Sequence, residues 1–355
     1  MPSASSQRIA KRRKRKTRNI VDQTGSPPDW EKLEPVAGDV SPRRYYRGTD
    51  EAARPFVLMR YPDQTEKSRA ELNSFIRIGE WLGSQGIKVP ALYNLYETQN
   101  CATFEDLGQT SFGKALRAGH NPEELYTLAC DVLIKLRDSV PPQGLPDYTQ
   151  SRIYANRRQI IDYYYRLKKQ RVPDEGTVQE YISVWDKIHQ SLPPCPQGFL
   201  HADYHLENLI WVEREQGIRK CALIDYQDAL RGPIPYDLLN LLEDARVDVP
   251  PELKQKILER YCGGMSAQEK ETFLSWYTVL AAQFHGRVIG LFIKLSAEQG
   301  RDEYLIHISR LQNYLKKALE NPILLPLKAW FEKEGLDFQL INDLNGAKIR
   351  GEFRN

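Results

Sequence analysis

The chain has 355 residues and a mass of 41.1 kDa, enough for two domains of ordinary size. At 41% hydrophobic and 27% charged residues, its composition is globular, which excludes collagen, coiled coil, full-length disorder and a disulfide scaffold. The net charge is +3 but unevenly placed: Met1 to Arg18 holds eight Lys and Arg and no acid, which leaves about −5 on the rest.

Taken in order, the basic block (Arg8, Lys11 to Lys16, Arg18) repels itself and has little apolar surface to bury. Residues 1–24 therefore read as a disordered tail, either merely solvated or an anchor for nucleic acid or another acidic partner. No long apolar stretch follows it, so no secretory signal is expected. The five cysteines (Cys101, Cys130, Cys195, Cys221, Cys262) are odd in number and form no C-x-x-C pair, which fits a reducing cytoplasm better than a zinc ribbon. The greasiest run, Val279 to Leu295, is broken by Gln283, His285, Arg287 and Lys294 and reads as a buried helix, with no membrane partner.

Short apolar runs bounded by turn residues predict strands around Leu33 to Val36, Arg43 to Arg47, Phe56 to Arg60, Ala91 to Tyr96 and Ala102 to Phe104. Between the third and fourth, Leu72, Phe75, Ile76 and Leu82 fall close to one helical face. After Asn121 the pattern turns helical. Leu125, Leu128, Ala129, Val132, Leu133 and Leu136 repeat at helical spacing behind an Asn-Pro start with Glu123 and Glu124 in the first turn. Further helices are predicted at 153–167, 178–189, 236–246, 251–261, 272–295 and 304–319, interrupted by strand-like runs at 209–212 and 221–224. The expected class is α+β and bilobal: a small antiparallel-sheet lobe over 25–108, a helical lobe over 109–335 and a tail over 336–355.

The densest polar cluster is His201-Ala202-Asp203-Tyr204-His205-Leu206-Glu207-Asn208, directly before a strand-like run. A second run ends at Asp225, 17 residues beyond Asn208. If the two runs pair as a hairpin, Asn208 and Asp225 lie side by side at one edge, and an amide and a carboxylate oxygen can share a hard cation such as Mg²⁺. Asp203 then stands where it can orient or accept a hydroxyl proton.

His201-x-Asp203-x-x-x-x-Asn208 with Asp225 resembles the catalytic loop and metal aspartate of the protein-kinase-like phosphotransferases. Tyr226-Gln227 in place of Phe-Gly is closer to the aminoglycoside phosphotransferase branch. Further stretches strengthen the likeness: Gly38 to Arg47, Phe104 to Gly108, Leu223 to Ala229, Gly232-Pro233, Tyr236 to Leu238, Leu242 to Arg246 and Arg287 to Gly290. Together they resemble the bacterial anomeric N-acetylmuramate/N-acetylglucosamine kinases of cell-wall recycling, over about residues 31 to 335. The resemblance implies ATP and Mg²⁺ as cofactors, Asp203 as the catalytic base, His205 near the γ-phosphate, Asn208 and Asp225 as metal ligands, and His201 and Asp237 as structural supports. It places Gly38, Asp39, Ser41, Arg43 and Arg44 over the phosphates and makes 104–108, with Glu105 and Leu107, an adenine-facing hinge. Arg60 or Met59 takes the place of the third-strand lysine. It assigns Asn156, Asp162, Tyr163 and Asp228 to a small-molecule acceptor, an N-acetylated amino sugar, bound by a monomer. Two other readings stay open: a metal hydrolase built on His201, Asp203 and His205, and a nucleotide-binding pseudokinase.

Overall fold

The computed structural model describes residues 26–36, 43–154, 156–338 and 344–354. The basic tail and the turn carrying Gly38, Asp39 and Ser41 lie outside the described residues. Two compact units are present, one of residues 1–76 with 90–107 and one of 77–89 with 108–355.

The first unit holds a five-stranded antiparallel sheet of order β1-β2-β3-β5-β4: β1 (Glu34–Val36), β2 (Arg44–Thr49), β3 (Pro55–Arg60), β4 (Leu92–Tyr96) and β5 (Cys101–Glu105). Alternation along β3 sorts its side chains onto two faces. Phe56 and Leu58 pack with Tyr96, Cys101 and Trp30, and Arg60 on the same face lays its guanidinium 4.7 Å from the Trp30 ring centroid. On the opposite face Val57 pairs with Phe104 and Met59 with Ala102, and Phe104 meets Phe75 edge-on at 5.0 Å. Phe75 belongs to α1 (Glu66–Ser84), whose residues divide between the two units at Ile76. Of the two candidates at the third-strand position, Met59 therefore occupies the helix-side face, buried to 1% exposure, and Arg60 the other.

The second unit is mainly helical. Its helices α2 (Phe112–Arg117) and α3 (Pro122–Arg137) are followed by two π-helical segments, Thr149–Tyr154 and Ile160–Tyr165. Asn121 caps α3 by accepting from Glu123 N at 2.9 Å, and Leu125, Ala129, Val132, Leu133 and Leu136 form its buried stripe. The single helix predicted over 153–167 is replaced by the π segments and a short α4 (Arg166–Lys169). A π turn holds more residues than an α turn, so neighbouring side chains diverge less. Tyr164 and Tyr165 are accordingly both fully buried, their hydroxyls donating to Asp337 O at 2.9 Å and Glu334 Oε2 at 3.2 Å.

Next come α5 (Glu175–Ser191) and two short ribbons: β6 (Gln197–Leu200) pairs with β9 (Leu230–Pro233), and β7 (Leu209–Trp211) with β8 (Cys221–Leu223). The chain closes with α6 (Pro235–Leu242), α7 (Pro251–Tyr261), α8 (Ala267–Gln299), α9 (Ile308–Ala318), α10 (Leu325–Lys333) and α11 (Gly346–Phe353). The 33-residue α8 runs between a Ser266–Glu269 capping box and Gly300 at φ 69°, and the greasy run Val279 to Leu295 lies within it. Among the described residues no helix is long and apolar enough to cross a membrane.

Gly290 on α8 marks a place where this helix meets the backbone of the chain just before the second π segment. A Cβ there would lie 2.2 Å from Gln159 O and 2.3 Å from Gln159 C, both backbone atoms that cannot swing aside. Gly290→Ala is expected to force α8 and the π segment apart at a cost of about 1–3 kcal/mol. Gly351→Ala, where a new Cβ meets nothing within 4 Å, is the control. Thermal melts of the two variants check this, with the midpoint falling for the first alone.

Candidate active site

The two ribbons place the polar cluster. Leu209 pairs with Leu223, and Ile224 N donates to Asn208 O at 3.1 Å, so Asn208 and Asp225 leave adjacent strands at the same end. Leu200 pairs with Leu230, which sets the start of the 201–208 loop beside the end of the 224–229 loop. His201 stitches the two together: its buried ring points Nε2 at Ile224 O, 2.9 Å away.

Two residues in these loops have left-handed backbone, Ala202 at φ 72° and Asp225 at φ 61°. Each costs about 1–2 kcal/mol for a residue with a side chain, so something must hold them. At Ala202 the holder is Asp237 in the first turn of α6. Its Oδ2 accepts from His201 N at 2.6 Å and its Oδ1 from Ala202 N at 3.0 Å. Burial pushes the Asp237 carboxyl up to about 7 against the pull of those two backbone donors. Asp237→Asn keeps the size but turns an NH₂ group toward a backbone N–H. It is expected to cost about 1–3 kcal/mol and to lower kcat more than it raises either KM, as urea unfolding and initial rates will check.

On the loop itself, Asn208 Nδ2 donates to Asp203 O and to Asp203 Oδ2, each at 3.0 Å. His205 Nδ1 lies 3.3 Å from Glu207 N, and its Nε2 lies 3.3 Å from both Asp203 Oδ2 and Asn208 Nδ2. The Asp203 side chain is 58% exposed and its carboxylate tip faces water. Burial of the loop acts to raise its pKa. The hydrogen bond and charge of His205, with the charges of His201 and Arg246, outweigh that and hold it below the usual carboxylate range. With its amide nitrogen committed to Asp203, Asn208 offers Oδ1 as its cation-facing atom. Asp225 adds a carboxylate, and Gln227 Nε2 links it (3.2 Å) to Asp228 (2.9 Å). One amide and one carboxylate oxygen suit a hard ion that completes its shell with water and phosphate. They do not suit zinc, which favours nitrogen and sulfur donors.

Sequence reasoning gave Glu207 no role, yet it ties this loop to α2. Ser111 Oγ donates to its Oε2 at 2.5 Å and Arg117 Nη1 to its Oε1 at 2.9 Å. Tyr226, standing where protein kinases carry Phe, packs under Gly79 of α1, where a Cβ would come within 2.6 Å of its hydroxyl. No local pattern could have revealed either contact, since their partners are remote in sequence.

Of the four residues assigned to the acceptor, Asp228 lies in the Asp225 turn, tied to it through Gln227, whereas the other three bond to a different set of groups. Asn156 donates to Ser151 O at 3.2 Å and accepts from Gln159 at 3.3 Å. Asp162 pairs with Arg158 at 3.0 Å, and Tyr163 donates to Glu298. None of these partners belongs to the Asp203–Asp225 group. In the first unit, Glu105 N donates to Ala91 O at 2.8 Å, Leu107 is buried, Arg43 is 8% exposed and Arg44 is exposed on the strand partner of Arg60.

A family model described as the phosphotransferase enzyme family matches residues 32–274. The chain belongs to that family. This phosphotransferase is 28% identical over 331 residues to the N-acetylmuramate/N-acetylglucosamine kinase of Caulobacter vibrioides, covering 84% of this chain and 91% of that protein. It is 29% identical over 309 residues to the Pseudomonas aeruginosa protein of the same name, covering 84% and 87%. Among solved structures it resembles a choline/ethanolamine kinase family protein from Mesorhizobium loti, with a TM-score of 0.55, 16% identity and coverage of 87% and 93%. It also resembles an ADP-bound aminoglycoside phosphotransferase, with a TM-score of 0.52, 13% identity and coverage of 82% and 95%. The phosphotransferase thus has the α+β protein-kinase-like fold, and its family membership sets the metal-hydrolase reading aside.

Proposed function

We propose that the protein is an ATP-dependent kinase that phosphorylates the anomeric hydroxyl of N-acetylmuramate or N-acetylglucosamine, as in cell-wall recycling. The observation that carries this reading is the Asp203–Asn208 hydrogen-bonded pair beside the Asp225 turn. The P–O bond to the sugar oxygen forms as the bond between the γ-phosphorus and the β,γ-bridging oxygen breaks. ADP leaves, and the hydroxyl proton passes to Asp203. Asp203 aligns the attacking hydroxyl. Asn208 Oδ1 and the Asp225 carboxylate would hold Mg²⁺, which when bound neutralises phosphate charge. His205 orients Asp203, and His201 and Asp237 fix the loop. From the small unit, backbone groups at Glu105 and Leu107 are assigned to adenine, with Arg43, Arg44 and the 38–41 turn assigned to phosphate. Asp228, linked to Asp225 through Gln227, is assigned to the acceptor, whereas Arg60, expected to grip phosphate, stacks on Trp30 on the face of β3 opposite Met59.

Because Met59 takes the helix-side position on β3, a regulator that binds nucleotide without transferring phosphate is the competing reading. One assay separates them. The protein is incubated with ATP, Mg²⁺ and a panel of both amino sugars, other sugars, choline and aminoglycosides, and products are weighed by mass spectrometry. The expected product is an amino sugar with one added phosphate and no reducing end. Phosphate on choline or an aminoglycoside alone overturns the sugar assignment, and nucleotide binding with no product on any acceptor favours the regulator.

A further inference from the structure

Resting on the amino-sugar kinase reading, we propose that a pocket in the helical unit seats an acidic substituent of the acceptor, with Arg152 and Arg287 holding its carboxylate. The pocket opens among Tyr148, the first π segment, α5 and α8. None of the ten described residues lining it is acidic, and three are arginines. Arg157 is engaged by the half-exposed Asp186 at 3.3 Å, and Arg287 donates to Tyr236 OH at 3.2 Å. Arg152 differs, because its Nε is buried with no hydrogen-bond partner among the described residues. Gln283 approaches His189 Nε2 through its own Nε2 at 2.6 Å, leaving its Oε1 buried and unanswered as well.

A buried, unanswered donor and a buried, unanswered acceptor in one pocket can both be answered by a ligand that supplies the opposite groups. Guanidinium presents a fork that matches carboxylate. The pocket also borders the catalytic loop's support. The Tyr148 ring sits 4.6 Å from Tyr236, and Tyr236 precedes Asp237, which grips His201 N and Ala202 N. The chemical class that fits is an N-acetylated sugar bearing a carboxylate, so N-acetylmuramate rather than N-acetylglucosamine is the better acceptor.

The test compares kcat/KM for the two sugars in the wild type, Arg152→Gln and Arg152→Lys. Wild type is expected to favour the acidic sugar. Arg152→Gln should lower the acidic-to-neutral ratio about 10- to 100-fold, chiefly through KM, and Arg152→Lys should recover part of it. Turnover of the neutral sugar in the same sample reports that the variant is folded. If Arg152→Gln turns over neither sugar, the ratio in Arg152→Lys decides. A variant ratio within twofold of wild type, or a wild type that prefers the neutral sugar, overturns this assignment alone. A wild type that phosphorylates neither sugar overturns the kinase reading and this one with it.

Discussion

Asp203→Asn is expected to lower kcat by about 10²- to 10⁴-fold while leaving nucleotide binding in place. The carboxylate accepts from Asn208 Nδ2 at 3.0 Å and faces His205 Nε2 at 3.3 Å, and these neighbours keep it ionised. So stable an anion is a weak base but a good hydrogen-bond acceptor. In a loose phosphoryl-transfer transition state the hydroxyl needs alignment first and gives up its proton late, a task such a carboxylate suits. Asparagine retains one acceptor oxygen for the loop but loses the charge and cannot take the proton. Initial rates at saturating ATP, with thermal stabilisation by ATP and Mg²⁺ measured in parallel, check the claim. A loss smaller than tenfold would remove Asp203 from the reaction. Loss of the stabilisation would make its role one of binding.

How much of this was legible in the sequence depends on how far each signal reaches along the chain. The Asn121 cap and the buried stripe of α3 sit within one helix, and the periodicity located that helix to within a residue or two. The Asp203 cluster and Asp225 were readable because the β7–β8 pairing that joins them closes a short loop between two apolar runs. The ribbon that aims the cluster was not. β6 and β9 are four-residue segments, each with a glycine, too short and broken to show a period. Asp237 was legible as a supporting residue only through the family resemblance, since its bonds to His201 N and Ala202 N join positions 36 and 35 residues apart.

The acceptor region shows the same limit more sharply. Asn156, Asp162 and Tyr163 are assigned to the acceptor through the family resemblance, since their local pattern alone is equally that of a packed aromatic stripe. In the structure Asp162 and Tyr163 lie in the second π segment and Asn156 before it, and their polar groups bond to Arg158, Glu298, Ser151 and Gln159. The arginine pocket is assembled from segments around 148–157, 181–189 and 283–287. An arginine inside an otherwise apolar helix is a sequence signal, as Arg287 is. Only the fold shows that Arg152 faces the same space.

The largest stability effect is expected at Glu243, which closes α6 at the end opposite Asp237. Its Oε1 accepts from Lys254 of α7 and from Tyr277 OH at 3.1 Å, and its Oε2 lies 2.5 Å from His285 Nε2 on α8. His285 is fully buried, with the Tyr314 ring stacked at 5.0 Å. Burial alone would raise the Glu243 carboxyl. The hydrogen bond and charge of His285, with the Lys254 ammonium, win and bring it down to about 2 from 4.5. Since the folded value lies below the unfolded one, the carboxylate's contribution is complete above pH 4.5 and drains away as pH falls toward 2. Glu243→Gln keeps the shape but leaves the Lys254 ammonium and the buried His285 ring without their anion, at an expected cost of about 3–5 kcal/mol near neutral pH. Urea midpoints for wild type and variant should therefore lie far apart at neutral pH and draw together below pH 4.5. A gap that stays constant across that range would mean that the charge contributes nothing and that the loss is one of packing. Because α6 carries Asp237 at its other end, the variant should also lose turnover at temperatures where it remains folded. That loss would show that the ion cluster among α6, α7 and α8 holds the Asp203 loop in its strained conformation.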